Sequence, residues 1–231
     1  MTSHNATFSP IRWVSAAQAG EQVRGVWTKE LLRSPDGDSF TLLRMGHGAK
    51  FELSGGADDR ILVLDGELVV SAGDEREEGT SHRSGAYCGL PAGGTAVVST
   101  PDRCLALILN GERLGDPADD VFDPDGWHEW SPGQWSKALL EVEFDENFDE
   151  RIVGLAHFEP GSVAPRHPHQ TAHRFLFLDG EADDELVFPD GTRQTAHRVR
   201  GDFVDYPYPV EHQSFSKTGC TILFLHEPIA R

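Results

Sequence analysis

The chain repeats itself, and that repeat limits the folds open to it. Trp27-Thr28-Lys29-Glu30-Leu31-Leu32 recurs as Trp135-Ser136-Lys137-Ala138-Leu139-Leu140. Arg60-Ile61-Leu62-Val63-Leu64-Asp65-Gly66-Glu67 recurs as Arg174-Phe175-Leu176-Phe177-Leu178-Asp179-Gly180-Glu181. Gly85, five residues, then Pro91 recurs as Gly201, five residues, then Pro207. Cys104-Leu105-Ala106-Leu107-Ile108-Leu109 recurs as Cys220-Thr221-Ile222-Leu223-Phe224-Leu225. The order is kept, and the offset grows only from 108 residues (Trp27 to Trp135) to 116 (Cys104 to Cys220). Two copies of one unit are therefore expected, each of roughly 110 residues. They are placed at residues 1–115 and 120–231, joined by the Gly/Asp/Pro-rich stretch from about Gly111 to Gly133.

Each copy reads as all-β. Short β-branched and aromatic runs at 40–44, 60–64, 105–109, 174–178 and 221–225 are broken by Gly, Pro, Asn and Asp, and long 3.6-residue periodicity is scarce. A barrel or sandwich per copy is the natural solution. The Leu-Asp-Gly-Glu end of the second match puts Asp-Gly directly after an apolar strand, at Asp65-Gly66 and Asp179-Gly180. Asp-Gly favours the positive φ of a two-residue hairpin, so both pairs are read as turns, and both aspartates as turn formers.

Composition excludes several partners. Twenty Lys and Arg against 38 Asp and Glu give a formal charge of −18, which repels the phosphates of nucleic acid and of anionic membranes. The acidic surplus at 116–125 and 141–150 reads as solvated loop and strand edge. No apolar run approaches the ~20 residues of a membrane span, and the start lacks a signal pattern, so a cytoplasmic location is expected. Cys88, Cys104 and Cys220 are an odd number without close spacing, so neither a disulfide scaffold nor a Cys-x-x-Cys metal site is expected.

Chemistry concentrates in the second copy. Gly161 is followed after five residues by His167-Pro168-His169, then by His173 and Gly180; downstream, Gly201 leads after five residues to Pro207-Tyr208-Pro209, and then His212. On a strand, residues two apart share a face, so His167 and His169 point together. His173 keeps that parity if the strand continues past a small irregularity. His212 lies beyond the Asp-Gly hairpin on a returning segment. Converging imidazoles make a nitrogen-rich site for one divalent ion, such as Fe, Zn, Ni or Mn. Arg174 stands beside His173, but a cationic guanidinium is no ligand. The first copy keeps the turns and loses the ligands: Leu53, Gly55 and Asp59 stand opposite His167, His169 and His173, and Ala96 opposite His212. It is read as a barrel without a metal.

This spacing resembles the two motifs of the cupin superfamily. The first runs Gly, five residues, His-x-His, three or four residues, Glu, six residues, Gly; the second runs Gly, five residues, Pro-x-Gly, two residues, His. Two residues depart, His173 in the place of Glu and Pro209 in the place of Gly. Within that superfamily the chain is most similar to ChrR-type cupins, on the Leu-Asp-Gly-Glu strand end, the Gly201–Pro207 spacing and Lys217-Thr218-Gly219-Cys220-Thr221. The resemblance implies two tandem jelly-roll barrels, with His167, His169, His173 and His212 as metal ligands in the second.

What it implies about activity divides. Some members are oxygen-dependent non-haem metal enzymes cleaving β-diketones or aromatic hydroxyketones, which points to an oxygenase acting on a small anionic or enolisable compound. ChrR itself is a zinc-binding anti-sigma factor with a separate helical zinc domain. Residues 1–27 carry no Cys/His cluster of that kind, so the alternative is a non-catalytic zinc-binding sensor without the anti-sigma role. An isomerase or sugar-binding cupin is a third possibility. The expected partners are a small-molecule ligand or substrate and a second copy in a homodimer. The sequence names no catalytic acid or base.

Overall fold

A computed structural model describes residues 13–18, 21–33, 39–54, 59–72, 79–90, 94–110, 117–139, 152–168, 172–206 and 209–227. Every regular element among them is a strand. The contacts divide the chain into two compact units, the division falling between Asp123 and Pro124. No helix among the described residues is long and apolar enough to cross a membrane.

The first unit holds β1 (Val14–Gln18), β2 (Glu21–Arg33), β3 (Ser39–Met45), β4 (Lys50–Ser54) and β5 (Arg60–Ala72), followed by β6 (Thr80–Arg83), β7 (Tyr87–Gly89), β8 (Thr95–Ser99) and β9 (Cys104–Asn110). The second holds β10 (His128–Ser131), β11 (Gln134–Ala138), β12 (Ile152–Phe158), β13 (Ser162–Pro168) and β14 (Ala172–Val187). After these come β15 (Arg193–Val199), β16 (Phe203–Tyr206), β17 (Glu211–Ser216) and β18 (Cys220–Glu227). The first sheet runs β1-β2-β3-β9-β5-β8-β4, with β6 and β7 paired to β5. The second repeats it as β10-β11-β12-β18-β14-β17-β13, with β15 and β16 on β14. Adding nine to every strand number turns one sheet into the other, so the duplication seen in the sequence is a duplication of topology.

The long strands close each unit. Residues 172–180 of β14 pair with β18, and 173–176 also with β16; from Glu181 onward β14 pairs with β15, and from Asp183 also with β17. β5 divides in the same way between β7 and β9 and then β6 and β8. The change of partners falls at the Asp-Gly pairs, which corrects the sequence expectation of a hairpin there. The strands run straight through, with the register shifting between Val63 and Asp65 and between Phe177 and Asp179. A bulge calls on a positive-φ glycine as readily as a tight turn does, so the dipeptide alone does not separate them. Gly66 and Gly180 do carry the positive φ, at 84° and 72°.

Alternation along the strands fills each interior. In the first unit Leu43, Met45, Ile61, Val63, Leu68 and Val98 are buried in one cluster; in the second Phe175, Phe177, Leu186, Val204 and Ile222 are. Each such side chain contributes roughly 1.5–3 kcal/mol relative to exposure. Of the stretch read as a linker, the described residues 117–133 are largely docked. Ala118 and Tyr87 exchange two backbone hydrogen bonds of 2.7 Å, Val121 N–H donates to the Gly85 carbonyl, and β10 and β11 already belong to the second sheet.

All three cysteines are free and buried. Burial pushes the Cys88 and Cys220 thiols up to about 11 and that of Cys104 to about 12. A thiolate is the reactive form, so native protein at pH 8 is expected to give no reaction with a disulfide reagent, and three thiols per chain after denaturation. Prompt labelling of the native chain would contradict this burial.

Candidate metal centre

His167 and His212 face each other across adjacent antiparallel strands, β13 and β17, as direct register partners. The returning segment that carries His212 is therefore β17, the antiparallel neighbour of β13. The register of β13 shifts between Ala164 and His167. Pro165 lies inside that shift, as expected of a residue that cannot donate to the ladder. Its carbonyl accepts from His167 Nδ1 at 2.7 Å. A carbonyl only accepts, so the proton sits on Nδ1 and the lone pair on Nε2. The two imidazole centres are 4.7 Å apart at 67°. Two imidazoles on one tetrahedral ion, with metal–nitrogen distances near ~2.0 Å, would have their centres about 5 Å apart, so the pair matches the donor chemistry of a shared ion.

His212 is 6% exposed and walled by aromatic rings. Phe175 stacks with it at 5.8 Å and Tyr206 meets it edge-on at 5.2 Å. His173 is also buried, but on a different strand from the one expected. β13 ends at Pro168, and His173 is the second residue of β14, opposite Tyr206 of β16 and His226 of β18. Its ring lies 5.8 Å from that of Phe175. Arg174 instead pairs with Asp205 at 3.3 Å. His169 lies outside the described residues. Among the described residues, no three His, Cys, Asp or Glu side chains gather closely enough to hold a metal ion.

Beside the histidine pair lies a polar network that sequence reasoning missed. Asp184, 2% exposed, accepts from three donors. Ser214 Oγ donates to Oδ1 at 2.6 Å, Arg198 Nε donates to Oδ2 at 3.3 Å, and the Tyr206 hydroxyl donates to Oδ2. Burial first, and then the Asp184 charge, hold the Tyr206 hydroxyl well above its ordinary value. Ser214 Oγ also lies 3.5 Å from His212 Nδ1. The signal available in the sequence was a charged residue at an inward parity, between Ala182 and Leu186, where the first copy has Val70. His157 is satisfied by Thr221 Oγ1 at 2.9 Å, as a core histidine would be.

The first barrel shows what the same positions look like without the site. Leu53 and Ala96 pair in the register that His167 and His212 occupy. Val70 and Val98 pair where Asp184 and Ser214 do, and Leu68 and His82 where Ala182 and Arg198 do. Leu90, whose N–H donates to the Asp59 carbonyl, stands for Tyr206 opposite His173. Histidines, carboxylate and hydroxyls are replaced together.

Residues 122–230 match the sequence model of the ChrR cupin-like domain family. The second barrel is a ChrR cupin-like domain. Solved structures carry the same architecture across both barrels. A cupin 2 conserved barrel domain protein from Leptotrichia buccalis is 12% identical, covering 94% of this chain and 96% of its own, with a TM-score of 0.59. An oxalate decarboxylase from Lactobacillus farciminis, as its formate complex, is 14% identical over 96% of this chain and 85% of its own, with a TM-score of 0.60. Procruciferin, an 11S globulin of Brassica napus, is 9% identical over 90% and 81%, with a TM-score of 0.61. No curated protein matches the chain by sequence. The chain is thus a pair of tandem cupin barrels, the second of ChrR type. Relatives as different as a decarboxylase and an 11S globulin show that the barrel by itself names no activity.

Proposed function

We propose that the ChrR-type barrel holds one divalent metal ion, with His167 and His212 at the centre of the ligand set and His169 and His173 completing it, and that the protein is a metal-dependent oxygenase for a small anionic or enolisable compound. The observation that carries this is the His167–His212 register pair, which stands where the metal-free barrel has Leu53 and Ala96. Neutral imidazoles leave the ion's +2 charge uncompensated, so the bound metal would act as a Lewis acid toward an oxyanion. His173, in place of the family's usual carboxylate, keeps that charge at its highest. The residues' own part is to bind and to exclude water. Phe175 and Tyr206 wall the site on the side of His212, lowering the local dielectric in which charges attract. A small anion fits this reading, and the oxalate decarboxylase with the same fold also takes one.

The test is elemental analysis of protein purified without added metal. One equivalent of iron or manganese per chain, with oxygen uptake on adding β-diketones or α-hydroxyketones, is the expected result. One equivalent of zinc with no turnover after exchange into iron would leave a binding protein, and two equivalents per chain would overturn the single-site assignment.

A further inference from the structure

We propose that Asp184 and Ser214 are positioning residues that fix the proton of His212 on Nδ1 and leave its lone pair on Nε2. The Ser214 hydroxyl has one proton to give, and it goes to Asp184 Oδ1 at 2.6 Å, because a carboxylate oxygen only accepts. The oxygen of Ser214 then meets His212 Nδ1 at 3.5 Å with lone pairs alone, so the hydrogen between them belongs to the imidazole. Asp184 cannot rotate away, since Tyr206 and Arg198 hold its other oxygen. The outcome is the tautomer that His167 reaches by a different route, through the Pro165 carbonyl. Both members of the facing pair thereby present Nε2 as donor. Such tethering of the distal nitrogen is how proteins orient metal-binding histidines.

Holding the fold does not account for the network. The equivalents of Asp184, Ser214 and Tyr206 in the first barrel are Val70, Val98 and Leu90, with His82 in the place of Arg198, and that barrel closes with the same topology without the buried carboxylate. Replacing a buried ion pair by well-packed apolar residues is often neutral or stabilising. A buried Asp184–Arg198 pair that stands beside the histidines, and is absent from the equivalent described positions of the first barrel, belongs to what the histidines do. The tautomer assignment stands on hydrogen bonding alone; the role of Nε2 rests on the metal reading given above.

The test uses the metal-free full chain with ¹⁵N-labelled imidazoles, in two-bond ¹H–¹⁵N correlation spectra at pH 8, the His212 signals being assigned by their loss in His212→Ala. Wild type should show the Nδ1–H form. Ser214→Ala should shift His212 toward Nε2–H, the form free imidazole prefers, and weaken Zn²⁺ binding, measured by chelator competition, by about 10- to 100-fold. Ser214→Thr should restore both. An Nε2–H signal in wild type, or an unchanged tautomer in Ser214→Ala, overturns the proposal, and the first of these needs no variant to fold. An Nδ1–H signal that Ser214→Ala abolishes, in a protein that takes up no Zn²⁺, Mn²⁺ or Fe²⁺, supports the proposal and removes the metal reading instead.

Discussion

His167→Ala combined with His212→Ala is expected to yield a folded protein that purifies with no bound metal. Binding free energies of roughly 10–16 kcal/mol for four-ligand zinc sites imply about 3 kcal/mol per ligand, so removing two weakens binding on the order of 10⁴-fold. The barrel should survive, because its twin already places Leu53 and Ala96 at this register pair, and the surrounding walls of Phe175, Phe177 and Leu186 are apolar. The variant should keep the wild-type far-ultraviolet circular dichroism while its metal content falls from one equivalent to background. His157→Ala, on β12 and tied to Thr221, is the control and should leave metal content unchanged. Metal retained by the double variant would place the ion elsewhere. Metal lost from His157→Ala as well would mean that the loss reports general disruption.

The fold was largely legible because the constraint came twice. Each strong strand run recurs in a copy with different residues, so Arg60–Ala72 and Ala172–Val187 support one another, and the nine-strand order repeats without exception. The site was legible as a set of residue types but not as an arrangement. Spacing gave His173 the parity of His167 and His169 only if one strand continued past a small irregularity, whereas β13 ends at Pro168 and His173 belongs to β14, which pairs with β16 and β18. Parity arguments hold only within one strand, and Pro165 and Pro168 were the warning that this one is short. Asp184, Arg198 and Ser214 were illegible for another reason. Each lies on a different strand, β14, β15 or β17, and only the pairing of those strands brings the three together. The Asp-Gly pairs were read for the right backbone conformation and the wrong element, since positive φ serves a bulge within a strand as well as a turn between two.

That bulge sets the second large effect. Gly180→Ala is expected to destabilise the ChrR-type barrel by about 3 kcal/mol or more, combining the strain of a side chain at positive φ with a backbone collision. At φ 72°, a Cβ on residue 180 would lie 2.0 Å from the Gly219 carbonyl oxygen and 2.7 Å from Cys220 Cα. Both are main-chain atoms at the start of the strand partner, Cys220 opening β18 in register with Gly180 and Gly219 just preceding it, so relief requires β14 and β18 to part there. The damage falls where β14 passes from the partners that hold His173 to those that hold Asp184, so metal uptake should fail along with stability. Gly161→Ala is the matched control: its φ is 85°, yet an added Cβ there meets nothing within 4 Å. It should cost only the ~1–2 kcal/mol of left-handed backbone strain. Gly66→Ala, whose Cβ would lie 2.0 Å from the Arg103 carbonyl oxygen, should reproduce the large effect in the first barrel. Urea denaturation followed by tryptophan fluorescence measures all three, since Trp13 and Trp27 report on the first unit and Trp127, Trp130 and Trp135 on the second. If Gly180→Ala unfolds at the same urea concentration as Gly161→Ala, the close approach of β14 to β18 at this bulge is wrong, and with it the passage of β14 there from one set of partners to the other.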